Sequence, residues 1–166
     1  MKYLFVGDIH NHDYMFNDIY RLDKEYDFNR IILFGDYVDD WNTDNHKSLE
    51  TLNTAINMKQ NMQDKVTLLL GNHELSYLGY PCSGHKSELE DVVRQKLEEN
   101  IDLFDFYTSV ECNDKDYVCT HAGLTNGYIE NFLGGKDNWC YILNSFSKAK
   151  LRNLLPFTVS SYIRGR

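Results

Sequence analysis

Three short apolar runs in this chain each stop at a glycine followed by a polar side chain, and that recurrence limits the folds open to it. Residues 3–6 run into Gly7-Asp8, residues 30–34 into Gly35-Asp36, and residues 65–70 into Gly71-Asn72. Short apolar runs bounded by turn residues suit strands buried on both faces. Longer segments of helical spacing lie between them. Residues 13–26 place Phe16, Ile19, Tyr20 and Asp23 on one helical face, with Asp13 as N-cap. Residues 45–63 are helical by the spacing of Leu49, Leu52 and Ile56. Strands separated by helices imply parallel crossovers and an α/β layer structure.

The remainder continues that alternation. Residues 87–99 read as a helix with Ser87 and Glu90 as a capping box and Leu89, Val92, Val93 and Leu97 as its apolar stripe. Residues 107–112 and 116–120 read as strands of a hairpin turning at Asn113-Asp114-Lys115. Weaker helical spacing follows at 127–132 and 139–155, and 158–166 could begin another strand. Without an internal repeat or low-complexity stretch, 1–166 is expected to be a single domain.

Charge narrows the function. The chain has 17 basic and 25 acidic residues, a formal net charge of -8. Nucleic-acid grooves draw on clustered Lys and Arg, so this balance argues against one as the main role. It does not exclude phosphate substrates, because bound divalent ions reverse the local sign. Cys82, Cys112, Cys119 and Cys140 form no CxxC pair, so neither a zinc ribbon nor a redox motif is indicated, and their scatter fits reduced thiols in a cytoplasm. The apolar start, residues 1–6, is too short for a signal peptide or a membrane span. A soluble, cytoplasmic protein is expected.

The polar residues fall at the strand exits, where ligands bind in open α/β sheets. Asp8, His10, Asp36, Asn72, His73 and His121 are therefore placed to converge although they are far apart in the chain. Glycine at each exit allows a sharp turn and close approach of the backbone to a ligand. Carboxylate and amide oxygens with imidazole nitrogen favour manganese, iron, zinc or magnesium over copper(I). One carboxylate can bridge two ions, and a pair about 3.5–4 Å apart can hold a phosphoryl oxygen and activate water.

The motifs Gly7-Asp8-Ile9-His10, Gly35-Asp36-Tyr37-Val38-Asp39, Gly71-Asn72-His73-Glu74 and His121-Ala122-Gly123 together resemble the calcineurin-like metallophosphoesterase superfamily. They look closest to its serine/threonine protein phosphatase and diadenosine tetraphosphatase branch and to related bacterial and phage phosphatases. The resemblance implies a β-sandwich flanked by helices. It implies that Asp8 and His10 bind a first metal, that Asp36 bridges two, and that Asn72 and His121 bind the second. His73 would be the general acid, oriented by Asp39, which raises its pKa. Asn11 and Glu74 would support the site. Two divalent ions are implied, manganese first, with iron, zinc, magnesium or nickel as alternatives. The implied reaction is hydrolysis of phosphomonoesters or nucleotide polyphosphates by a metal-activated hydroxide. Substrates would be phosphorylated small molecules, nucleotides or phosphoproteins, with neither nucleic acid nor membrane as partner.

Two departures from that family pattern stand out. Where protein phosphatases read GDYVDRG, this chain has Asp40-Trp41. A carboxylate repels phosphate, so Asp40 must point away or the substrate must differ; His85 and Lys86 offer replacement contacts, or form an ordinary polar turn. The family also has a later metal-binding His, and no His follows His121 here. The chain is thus expected to be shortened, with C-terminal strands missing, the second metal one ligand short and sheet edges open to dimerisation. Two other readings follow: a degenerate relative that binds metal with little activity, and a phosphodiesterase or nuclease.

Overall fold

The computed structural model describes residues 1–40, 46–79, 89–124 and 130. Residues 1–121 form one compact unit, and 122–166 are grouped separately. Within the first unit the order is β1 (Tyr3–Val6), α1 (Tyr14–Tyr26), β2 (Arg30–Leu33), α2 (His46–Met62), β3 (Val66–Leu69), α3 (Asn72–Tyr77), α4 (Glu90–Glu99), β4 (Phe104–Asp105), β5 (Tyr107–Cys112) and β6 (Lys115–Thr120). This is the expected α/β architecture. Among the described residues no helix is long and apolar enough to cross a membrane.

The strands β1-β2-β3-β4 lie side by side in chain order, all parallel. Each crossover therefore steps the same way across the sheet. Right-handed crossovers then put the connecting helices on one face. The antiparallel hairpin β5-β6 covers the other: Ile32 and Leu69 pack with Val110 and Cys119, joined by Tyr3 and Phe34. Arg30 ties the hairpin down, donating to the Ser109 carbonyl at 2.9 Å and to the Thr108 and Thr67 hydroxyls at 2.8 and 3.1 Å. Phe5 shares this face, stacks beside Tyr3 and remains 48% exposed.

Several local details differ from the sequence expectation. Asp13 is the N-cap of α1 but makes no capping hydrogen bond; its carboxylate lies 3.4 Å from Lys47 Nζ. Tyr20 is exposed, as is Val92 on α4, because the buried stripes are narrower than drawn: Phe16 with Ile19, and Val93 with Leu97. The hairpin turns on two residues, not three. Asn113 and Asp114 both have positive φ, 52° and 57°, the type I′ geometry that matches strand twist, so β6 starts at Lys115. Two elements escape the sequence, α3 and β4. The expected segments at 139–155 and 158–166, and Ser87 of the expected capping box, lie outside the described residues.

Candidate metal centre

The site begins with backbone. The chain leaves β2 and β3 through Gly35 and Gly71, which lie back to back. A Cβ on Gly35 would strike the Gly71 backbone, and one on Gly71 would strike Asp36. These two glycines thus serve approach of one strand exit to the other, not approach to a ligand. Gly7 has open space around it. The exit of β1 is stitched to that of β2: the amides of Ile9 and His10 donate to the Asp36 carbonyl at 3.0 and 2.7 Å, and Asn11 donates to Tyr37 at 3.1 Å. These contacts hold His10, Asn11, Asp36 and Asp39 at positive φ, between 42° and 64°. For Asn, Asp and His that region is accessible but disfavoured.

Glu74 fastens the third exit to the second. It is fully buried in the first turn of α3. One carboxylate oxygen accepts from the amides of Asp36 and Gly71 at 2.8 and 2.9 Å; the other accepts from Tyr37 and Val38 at 2.8 and 3.3 Å. Burial first, and the Asp36 carboxylate second, push its pKa above the ordinary carboxylate range, while the amides oppose the shift. Tyr37 closes the floor by donating its hydroxyl to the Leu69 and Leu33 carbonyls at 3.1 and 3.3 Å.

Side chains of the four motifs meet above this frame. Asp36 Oδ2 lies 3.7 Å from His10 Nε2 and 3.4 Å from His121 Nε2. Asp8 approaches both imidazoles, at 4.0 and 3.8 Å. Asn72 Oδ1 is 3.0 Å from His121 Nε2. Two groups of possible ligand atoms result, His10-Asp36-His73 and Asp8-Asp36-His121, each within 4.8 Å and sharing Asp36. The imidazoles are oriented as metal ligands are: His10 Nδ1 faces the Asp39 carbonyl and His121 Nδ1 the Phe34 carbonyl, both at 2.8 Å. In a neutral imidazole, donation from Nδ1 there would turn the lone pair of Nε2 towards a bound ion. Two carboxylates, an amide oxygen and imidazole nitrogens fit a hard or borderline divalent cation.

Beside the cluster, His73 Nδ1 lies 3.1 Å from Asp39 Oδ2, and the His73 amide donates to Asp36 Oδ1 at 2.9 Å. The His73 pKa is raised, chiefly by the Asp39 hydrogen bond and further by the charges of Asp36, Asp39 and Glu74, against a burial effect that lowers it. Asp39 is buried and held from behind. Tyr77 donates to its Oδ1 at 2.5 Å, and its amide donates to Ser48 Oγ at 3.0 Å. Ser48 in turn donates to Asn11 Oδ1 at 3.0 Å.

The model of the calcineurin-like phosphoesterase family matches residues 1–154. The chain belongs to this family. Two curated relatives come from Schizosaccharomyces pombe. Serine/threonine-protein phosphatase ppe1 is 32% identical over 124 residues, and the putative serine/threonine-protein phosphatase C22H10.04 is 29% identical over 121. Each alignment covers 72% of this chain but only 38% of the relative, so the chain spans about two fifths of the length of these phosphatases.

Within this calcineurin-like site, all seven residues expected to act at the metals or beside them, Asp8, His10, Asp36, Asp39, Asn72, His73 and His121, lie at strand exits or their following turns. Asp40 lies 4.0 Å from His12 Nε2, so its carboxylate has a cationic neighbour when that imidazole is protonated. His85 and Lys86 lie outside the described residues. Sequence reasoning missed Tyr77 and Ser48. A tyrosine and a serine at buried helical positions carry no signal apart from the fold, although Ser48 and Thr51 do replace apolar residues on the inner face of α2.

Proposed function

We propose that this chain is a metal-dependent phosphoesterase acting on phosphomonoesters or nucleotide polyphosphates. The observation that carries the reading is the sharing of Asp36 between two ligand groups at the strand exits. Asp8, His10 and Asp36 would hold one divalent ion; Asp36, Asn72 and His121 would hold a second. Such ions, when bound, supply Lewis acidity to a phosphoryl oxygen and acidify water. Manganese suits the oxygen-rich donor set, with iron, zinc, magnesium or nickel as alternatives.

The chain's own residues supply orientation and a proton. His73, protonated and held at Nδ1 by Asp39, has its other nitrogen for the leaving-group oxygen of the ester, a general-acid role. Asp36 fixes the His73 backbone through its amide, so the acid and the proposed bridging carboxylate move as one body. The relatives are named as serine/threonine-protein phosphatases, which makes phosphoproteins candidate substrates beside small phosphate esters. A cytoplasmic location is proposed from the scattered cysteines, which form no CxxC motif, and a dimer through an open sheet edge from the exposed Phe5 face.

The purified chain, supplied with manganese, is expected to bind two ions and hydrolyse p-nitrophenyl phosphate, and Asp36→Asn to lose both properties. Absence of turnover across manganese, iron, zinc, magnesium and nickel would refute the phosphoesterase reading. Faster hydrolysis of bis-(p-nitrophenyl) phosphate than of the monoester would redirect it to phosphodiesters.

A further inference from the structure

Tyr77 ends α3, six residues after Gly71, and its side chain is fully buried. Its hydroxyl donates to Asp39 Oδ1 at 2.5 Å, at the short end of the range for a hydroxyl bonded to a carboxylate. The other oxygen of the same carboxylate faces His73 Nδ1 at 3.1 Å. A buried tyrosine hydroxyl requires a partner, but a backbone carbonyl would satisfy it, as it does for Tyr37. Here the partner is the group that orients the proposed proton donor. Because His73 and Tyr77 stand on the same short helix, that helix holds the Asp39 carboxylate at both of its oxygens.

We propose that Tyr77 is a positioning residue for proton delivery, holding the Asp39 carboxylate in the plane and distance at which it grips His73 Nδ1. Ser48 assists weakly: its Oγ is 3.4 Å from Oδ1, and it is engaged with Asn11 at 3.0 Å. Without the tyrosine hydroxyl the carboxylate can rotate about its Cβ–Cγ bond, and the imidazole loses a fixed direction. Binding of phosphate is expected to change little in Tyr77→Phe, because Tyr77 is in neither group of ligand atoms and acts on them only through Asp39 and His73.

Tyr77's role presupposes the phosphoesterase reading, and Tyr77→Phe tests it with two separate readouts. The first compares p-nitrophenyl phosphate with phenyl phosphate, whose leaving group needs the proton more. General-acid catalysis contributes about 10²–10⁴ in rate, and partial loss of its orientation is expected to lower kcat for phenyl phosphate about tenfold with KM unchanged. The nitrophenyl ester should lose much less, and Asp39→Asn combined with Tyr77→Phe should be no worse than Asp39→Asn alone. Equal loss on both esters, or a change confined to KM, would overturn the proposal. The second readout needs no turnover: in metal-free protein with labelled histidine, the downfield Nδ1–H signal of His73 should be present in the wild type and lost to exchange in Tyr77→Phe. Its persistence in the variant, or its absence from the wild type, also overturns the proposal. A wild type that hydrolyses neither ester removes the phosphoesterase reading, while the proton signal still decides whether Tyr77 positions Asp39.

Discussion

Replacing Glu74 by Gln exchanges a carboxylate for an amide of the same shape at the most heavily hydrogen-bonded point of the site. Each carboxylate oxygen accepts two backbone amides. In either flip of the glutamine, two of those amides meet an NH2 group and lose their acceptor in a fully buried place. Hydrogen bonds to charged groups contribute about 1.5–3 kcal/mol each, so the two losses total about 3–6 kcal/mol. The charge itself works the other way. Burial and Asp36 hold the Glu74 pKa high, so ionisation costs stability increasingly as pH rises past the ordinary carboxylate range, and the amide recovers that part. A net destabilisation of about 2–4 kcal/mol follows, which lowers Tm by roughly 5–15 °C for a chain of this size. Denaturant unfolding at pH 7.5 gives the comparison directly, since a change of midpoint at constant slope reports stability alone. An unchanged midpoint would refute the view that this carboxylate fastens the second and third strand exits together. A calorimetric titration with manganese should show weaker binding in the same variant, because Asp36 depends on the turn that Glu74 holds.

Further outcomes follow from the same geometry. The alkaline limb of the pH–rate profile should move to lower pH in Asp39→Asn: His73 acts while protonated, activity is lost as pH rises through its pKa, and Asp39 is the main cause of the upward shift. A limb that stays in place would remove His73 as the titrating acid. His73→Asn should retain its metal content while losing turnover; loss of an ion would make His73 a ligand, which its place beside His10 and Asp36 also permits. Gly71→Ala should displace Asp36 and cost metal affinity at least tenfold, since the new methyl occupies the position of the Asp36 carboxylate; isothermal titration measures it. Arg30→Met should free the hairpin, seen as faster amide exchange in β5-β6 with the metal titration unchanged.

The sheet was legible because its strands announce themselves twice, by an apolar run and by the glycine that ends it. Three of the four parallel strands were placed within two residues at each end. The fourth, Phe104–Asp105, is two residues long and is a strand by its pairing with β3, which no pattern in so short a segment can encode. The helix Asn72–Tyr77 was hidden for a related reason. It spans less than two turns, and its N-cap is Gly71, whose missing side chain removes the usual signal. Site residues were legible by type and place, since a polar residue just after a buried strand has little other reason to be there. The reason for the glycines was not: that Gly35 and Gly71 touch each other depends on strands being neighbours, a fact of the fold and not of either segment. Tyr77 and Ser48 were invisible on the same grounds, because their partner Asp39 lies in a different segment from either of them.

The stitching of the strand exits also bears on how the chain would acquire a cation. The pairings that join one strand exit to another are distant in sequence: Ile9 with Asp36, Asp36 with Glu74, and Phe34 with His121. Among the described residues the two ligand groups each draw on separate strand exits, so an unfolded or half-folded chain has little affinity to offer through them. By mass action an ion that recognises only the finished fold stabilises it by RT ln(1 + [L]/Kd), roughly 2.7 kcal/mol at a hundredfold excess over Kd. A cation bound in this way would act as a ratchet on folding, and the availability of metal would become a determinant of how much of the protein persists.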